Sequence, residues 1–120
     1  MPFLLDTNFL LIPAQFRVDV YDQLLGFGAP RFYTVSLVVQ ELEKLAEKGV
    51  AGKHARLALL QLRQQGVRVI PVEGRSADAA LLKLADRFTV CTQDRELIRR
   101  IHARRLQVIT MRQRKTLAML

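Results

Sequence analysis

The sequence is poor in cysteine, histidine and aromatic residues: one Cys, two His and 7% Phe, Trp and Tyr. The single thiol, Cys91, can close no internal disulfide and has no second thiol with which to build a zinc site. A reducing cytoplasm is therefore the expected compartment. No segment approaches the roughly 18 apolar residues of a membrane span. The N-terminus carries no basic leader, and Asp6 interrupts its apolar stretch, so no signal peptide is expected. Internal repeats, low-complexity tracts and linkers are also missing, which leaves a single domain over residues 1–120. Acidic charge is scarce as well: 11 Asp and Glu stand against 19 Lys and Arg, a formal charge of +8. This excess favours a polyanionic partner, RNA or DNA. A membrane surface fits less well, because the basic residues are not gathered on one amphipathic helix with bulky aromatics.

What is present is an alternation of short elements. Half the residues are hydrophobic, enough for a core. Phe3–Leu5 reads as a buried strand, and a short helical or irregular stretch follows near Pro13. A helix is expected from Asp19 to Phe27, a strand over Arg31–Val35, and a helix capped by Ser36 running to Lys48. Lys53–Gln65 reads as a helix with Leu57, Leu60 and Leu62 inward and Gly66 ending it. Val67–Val72 reads as a strand, Ser76 caps a helix to about Phe88, and Thr89–Thr92 is a short strand. Arg95–Arg104 is a helix and Leu106–Thr110 the last strand. Such alternation predicts a Rossmann-like α/β/α sandwich around a parallel sheet of about five strands. Ligands in such sheets sit outside the carboxyl ends of the strands.

The acids that break their local patterns are the candidates for chemistry. Asp6 stops an apolar run at the end of the first strand, and Asp94 lies just past the fourth, so both face one sheet edge. On the helix from Ser36, at about 100° per residue, Glu43 and Glu47 fall on the polar side. Glu41 instead falls one turn from both Leu37 and Leu45. On the helix from Ser76, Asp86 is on the wet side, whereas Asp78 lies at the margin of the apolar arc beside Ala85. Each acid has a plainer explanation: Asp6 and Asp94 as loop acids, Asp78 as a complement to its helix dipole, Glu41 as partner of a buried Arg. Together the four would repel one another and pay desolvation, which a divalent cation resolves; all-oxygen ligands suit Mg²⁺ or Mn²⁺. Thr7, Asn8, Thr92 and Gln93 are placed to orient these carboxylates by hydrogen bonds; Thr7 and Asn8 also suit a helix cap.

At this point the sequence resembles the PIN-domain nucleases. The motifs that carry the resemblance are Asp6-Thr7-Asn8, Glu41, Ala77-Asp78-Ala79-Ala80-Leu81 and Thr92-Gln93-Asp94-Arg95-Glu96-Leu97, spread over essentially the whole chain. The resemblance implies a metal-dependent ribonuclease whose acidic positions are Asp6, Glu41, Asp78 and Asp94, with Asn8 and Thr92 in support. The stretches DTNFLLIPAQFRVD and VITMRQRKTLAML are similar to archaeal relatives of the PIN endonucleases that trim pre-ribosomal RNA. VapC-type toxins of toxin–antitoxin pairs share the same acids and are the other branch. A ribosome-assembly or antitoxin-like partner is expected accordingly. The family also includes binding scaffolds, so a non-catalytic RNA-binding domain is the reading from another class.

The chemistry expected is hydrolysis of an RNA phosphodiester with one or two Mg²⁺ or Mn²⁺ ions, one lowering the pKa of a bound water and the other stabilising the leaving oxygen. His54 and His102 adjoin none of the acids in sequence and read as surface residues or RNA contacts. Phosphate contacts are expected from Arg95, Arg99, Arg100, Arg112, Arg114 and Lys115; Arg104 and Arg105 also suit a solvated helix face. Phe16, Tyr21 and Tyr33 read as core residues before base-stacking ones. A response-regulator receiver would need a paired acid after the first strand, an Asp after the third and a Lys after the fifth. Here Asp6 stands alone, Val72-Glu73 follows the third and Met111-Arg112 the fifth. Val39, Val50 and Leu59 exceed what one sheet face needs, and a homodimer would cover them.

Overall fold

A computed structural model describes residues 1–28 and 31–120. Six strands form one sheet in the order β3-β2-β1-β4-β5-β6. They are β1 (Phe3–Leu5), β2 (Phe32–Val35), β3 (Arg68–Ile70), β4 (Thr89–Cys91), β5 (Val108–Arg112) and β6 (Thr116–Met119). The first five pair in parallel, and β6 returns antiparallel to β5. The helices are α1 (Thr7–Leu10), α2 (Ile12–Phe16), α3 (Val20–Leu25), α4 (Ser36–Ala46), α5 (Lys53–Gln64), α6 (Ala77–Leu84) and α7 (Arg95–Ala103). They flank the sheet as the three-layer expectation requires.

The centre of the sheet explains the opening residues. β1 lies between β2 and β4, so Phe3, Leu4 and Leu5 are buried on both faces; a strand covered twice reads as a continuous apolar run. The chain builds β1, β2 and β3 toward one side and then crosses back to lay β4 against β1. The order therefore reverses between β1 and β4, and the crevice outside their carboxyl ends is the topological switch point, where α/β sheets bind ligands. Asp6 follows β1 directly, and its N–H donates to the Cys91 carbonyl at the end of β4 (3.0 Å).

Several expectations need correction. The last strand does not end at Thr110: residues 108–119 form a hairpin, so the sheet has six strands, not about five. Its turn holds Gln113 and Arg114 at φ 56° and 54°, a type I′ geometry usually marked by Asn-Gly. Ser36 does not cap α4; its hydroxyl donates to the Val72 carbonyl (3.2 Å) and accepts the Val72 N–H (2.9 Å), tying the segment after β3 to α4. Helix α4 stops at Ala46, short of Lys48. On α5 the inward residues are Ala55, Ala58 and Leu62, while Leu57 and Leu60 are exposed. Small alanines let α5 approach closely, so the bulkier leucines face out. Strand β3 is shorter than Val67–Val72 and its outer side is open. Val39 and Leu59 pack against this chain's own core, and of the three residues assigned to a dimer only Val50 is exposed. Among the described residues, no helix is long and apolar enough to cross a membrane.

Candidate metal and catalytic site

The switch-point crevice is lined by the four acids the sequence singles out, and two threonines link them. Asp6 is buried, with both carboxylate oxygens engaged: the Thr7 N–H donates to Oδ1 (2.7 Å) and the Thr92 hydroxyl to Oδ2 (2.6 Å). The Thr7 hydroxyl donates in turn to Glu41 Oε2 (2.6 Å). The Thr92 oxygen accepts the Asp94 N–H (3.1 Å). Asp94 caps α7, its Oδ1 accepting from the Glu96 and Leu97 N–H groups (2.9 and 3.1 Å). A string thus runs Glu41–Thr7–Asp6–Thr92–Asp94, from α4 across the switch point to α7.

Asp78 completes it from α6. That helix is placed by the expected cap, Ser76, whose Oγ accepts the Ala79 N–H (3.1 Å). The residue is exposed as a whole, but its carboxyl faces the crevice. Partial burial raises its pKa, with the charges of Asp94 and Glu41 and a hydrogen bond shared with Asp94 adding to the rise; Arg100 opposes it. Burial pushes the Asp6 carboxyl up to about 6, the charges of Asp78 and Glu41 adding to the rise and the bonds from Thr92 and Thr7 holding it down. Glu41 is at the exposed margin of α4 rather than inside its buried arc, because only Val38 and Leu42 of that arc are fully covered.

The other polar candidates act one step away. Asn8 Oδ1 accepts the Gln93 N–H (2.9 Å) and sits 3.4 Å from the Thr92 hydroxyl, pinning α1 to the loop after β4. The Gln93 side chain turns from the acids toward β5: its Oε1 accepts from the Thr110 hydroxyl (2.7 Å) and the Met111 N–H (2.6 Å). Cys91 is fully buried, which pushes its thiol up, so it is packing rather than a nucleophile.

Among the described residues, none of the four carboxylates forms an ion pair with a basic side chain, although the chain is strongly basic. Nor do three acidic, His or Cys side chains converge tightly enough to hold an ion as they stand. The donor set fits a hard cation nonetheless: it is all oxygen, uncompensated and oriented by neutral hydroxyl donors. Asp6, Glu41, Asp78 and Asp94 are the residues that would hold it.

The basic residues divide by position. Arg112 ends β5 on the same edge as Asp6 and Asp94, and the hairpin turn carries Arg114 and Lys115 beyond it. The Arg114 guanidinium lies over the Phe16 ring, 5.6 Å from its centroid. Arg95 opens α7 and is exposed. Arg99 and Arg100 are engaged by Glu96, at 2.6 and 3.1 Å. Those bonds, the Arg99 one foremost, pull the Glu96 carboxyl down to about 2. Arg104 donates to the Leu82 carbonyl and ties α7 to α6. Of the aromatics, Tyr21 and Tyr33 pack edge-on against Phe32 and Phe88, while Phe16 is at the surface.

Replacing Thr92 by Val tests the string. The shape is kept but the Asp6 Oδ2 donor is lost. We expect a loss of about 2–3 kcal/mol of stability at neutral pH, the cost of leaving a buried carboxylate oxygen unpartnered. Thermal unfolding should show that loss shrinking at pH 4, where Asp6 is neutral; an undiminished loss would mean that Thr92 serves only packing.

A mainly parallel sheet with interlinked acids at its switch point defines a Rossmann-like α/β domain built to present carboxylates to a ligand. The chain belongs to the PIN-like domain family, whose profile matches residues 3–114. Its fold is similar to that of the PIN domain endonuclease Utp24, with a TM-score of 0.78 at 21% identity over 98% of this chain and 89% of that one. It is also similar to a domain of a functionally unknown protein from Methanocaldococcus jannaschii DSM 2661, with a TM-score of 0.63 at 18% identity, covering 92% and 91%. No curated protein matches the sequence.

Proposed function

We propose that the protein is a Mg²⁺- or Mn²⁺-dependent endoribonuclease that hydrolyses RNA phosphodiester bonds at the switch-point carboxylates. The observation that carries this reading is Asp6: a carboxylate buried at the switch point, oriented through both oxygens and without a cationic partner, facing further acids. A structural acid would be paired; this one is held ready for a ligand that brings positive charge. When bound, a divalent ion in such a site supplies an activated water and charge stabilisation at the phosphate. The chain's own residues supply the rest. Thr92 and Thr7 fix the Asp6 oxygens, Asp94 is locked by its capping bonds, and Asp78 shares a proton with it until that proton is displaced.

RNA is the favoured substrate class because the fold is basic around an acidic crevice. Arg112, Arg114 and Lys115 lie on the acids' own edge and supply the phosphate contacts that bring a polyanion to a negative site. A labelled single-stranded RNA incubated with Mn²⁺, Mg²⁺ or EDTA tests the reading. Cutting should require a metal; uncut RNA under every metal condition would leave an RNA-binding scaffold.

Glu96 restrains part of the basic surface. Glu96→Gln should release Arg99 and Arg100, tighten RNA binding and steepen the fall of affinity with salt, since more phosphates would be neutralised. Unchanged affinity and slope would place α7 outside the RNA path.

A further inference from the structure

A second polar cavity lies away from the acids. It has a volume of about 270 Å³ and opens between the α2–α3 junction and the end of α5. None of the four carboxylates lines it. Gln64 and Gln65, which do, close α5 just before β3, and Tyr21, which also does, packs on Phe32 at the start of β2.

Two buried polar atoms in this cavity's wall have no partner: the Tyr21 hydroxyl and Gln61 Oε1. Such orphans are rare, and each costs about 1–3 kcal/mol unless something bonds it. Tyr21 is only 4% exposed. Burial, with the charge of Asp19, raises its phenol, so the hydroxyl stays a donor at physiological pH. The wall thus offers one fixed donor and one fixed acceptor, with the amides of Gln64 and Gln65 beside them. Apolar cover comes from Pro13 and Val18. A single water is far smaller than the space, at roughly 30 Å³ each in the liquid. The volume falls just under the usual range for ligand pockets, about 300–1,000 Å³, and so suits a small planar group rather than a large cofactor.

We propose that this cavity binds one nucleobase of a single-stranded RNA, recognised by Tyr21 and Gln61; the inference rests on the ribonuclease reading above for its choice of RNA. A base edge carries adjacent donors and acceptors of the kind the wall leaves unpaired. Charge argues the same way. Arg17 and Asp19 at the mouth offset one another, so a neutral group fits the interior while Arg17 remains available to a flanking phosphate. The position is continuous with the basic hairpin: Phe16, the neighbour of Arg17, is the ring on which Arg114 rests. A strand held by Arg112 and Arg114 near the acids can lay one base against Phe16 and the next in the cavity.

The test is a titration of the protein with adenosine, guanosine, cytidine and uridine 5′-monophosphates in EDTA, followed by amide chemical shifts. Cleavage plays no part in it, so its failure and that of the nuclease reading are separable. At least one nucleotide should give saturable shifts at Tyr21, Gln61 and Gln65. Tyr21→Phe, which keeps the ring and its packing, should weaken that binding up to about tenfold, the worth of one hydrogen bond, and Gln61→Leu should do likewise. Asp6→Asn should leave it unchanged. No saturable shift at these residues with any of the four at millimolar concentration would overturn the proposal. So would binding that Tyr21→Phe leaves intact, because the hydroxyl would then serve only a water.

Discussion

Asp6→Asn is expected to abolish metal-dependent cleavage and at the same time make the metal-free protein more stable. The activity loss should reach at least about 10³-fold, because a ligand worth several kcal/mol of charge stabilisation is removed. The gain in stability follows from the sign of the shift. The folded protein holds the Asp6 carboxyl at about 6, above the roughly 3.9 of an unfolded chain. Between those values the folded state keeps a proton that the unfolded state has lost. The wild type therefore has this contribution in full below about pH 4 and loses it as pH rises through 6, by about 3 kcal/mol. Asparagine is neutral throughout, so the variant should not fall in that window and should melt several degrees higher at pH 7.5 in EDTA. Its amide can be accommodated: the Thr92 oxygen can accept from it while the Thr92 hydroxyl turns toward Asn8 Oδ1, 3.4 Å away. Added Mn²⁺ should raise the melting temperature of the wild type and not of the variant. Equal melting curves for the two proteins in EDTA across pH 4–8 would show that Asp6 carries no strain.

Gly52→Ala should be the most damaging single methyl group in the molecule. Gly52 is buried in the 3₁₀ turn of residues 49–52, where α4 turns back into α5. A Cβ there would stand 2.6 Å from the carbonyl oxygens of both Leu45 and Ala46 and 2.8 Å from the Ala46 carbonyl carbon. These are backbone atoms at the end of a helix, so they cannot turn aside as a side chain would. Relief means separating α4 from α5, and the Arg56 guanidinium, which donates to the same Ala46 carbonyl (2.8 Å), would lose its seat. A cost of about 3 kcal/mol is expected by urea denaturation, at the upper end for overpacking. Because α4 also carries Glu41, cleavage should fall in the fraction that stays folded. Stability within about 0.5 kcal/mol of wild type would show that the hairpin relaxes freely.

The parts of the site that could be read in the sequence were those announced by strand ends. Asp6 and Asp94 each follow a β-rich apolar run, and position alone sends both to one edge. Ser76 was legible as a cap and Asp78 by its place one turn above it. What the sequence hid was pairing at a distance: the Thr7 hydroxyl on Glu41, or the Gln93 amide on β5, depend on how helices and strands meet. The β5–β6 hairpin escaped because its turn, Gln113-Arg114, lacks the Gly or Asn that marks positive φ. Leu57 and Leu60 misled for a different reason. Hydrophobic periodicity gives large residues the inner face, yet α5 buries its alanines. Tyr21 and Gln61 carry no sequence signal at all, since only a hydrogen-bond account of the folded chain shows them unpartnered.

The bond between Thr92 and Asp6 closes over 86 residues of chain. Asp6 is translated almost first and its partner three-quarters of the way along, and β1 meets β4 only after the β2–β3 half is already made. No N-terminal fragment can therefore hold the string of acids, however much of it has folded. While the chain is still attached to a ribosome, surrounded by the RNA it would cut, the blade is in separate pieces. The crossover that makes the crevice also times its arming to the end of synthesis.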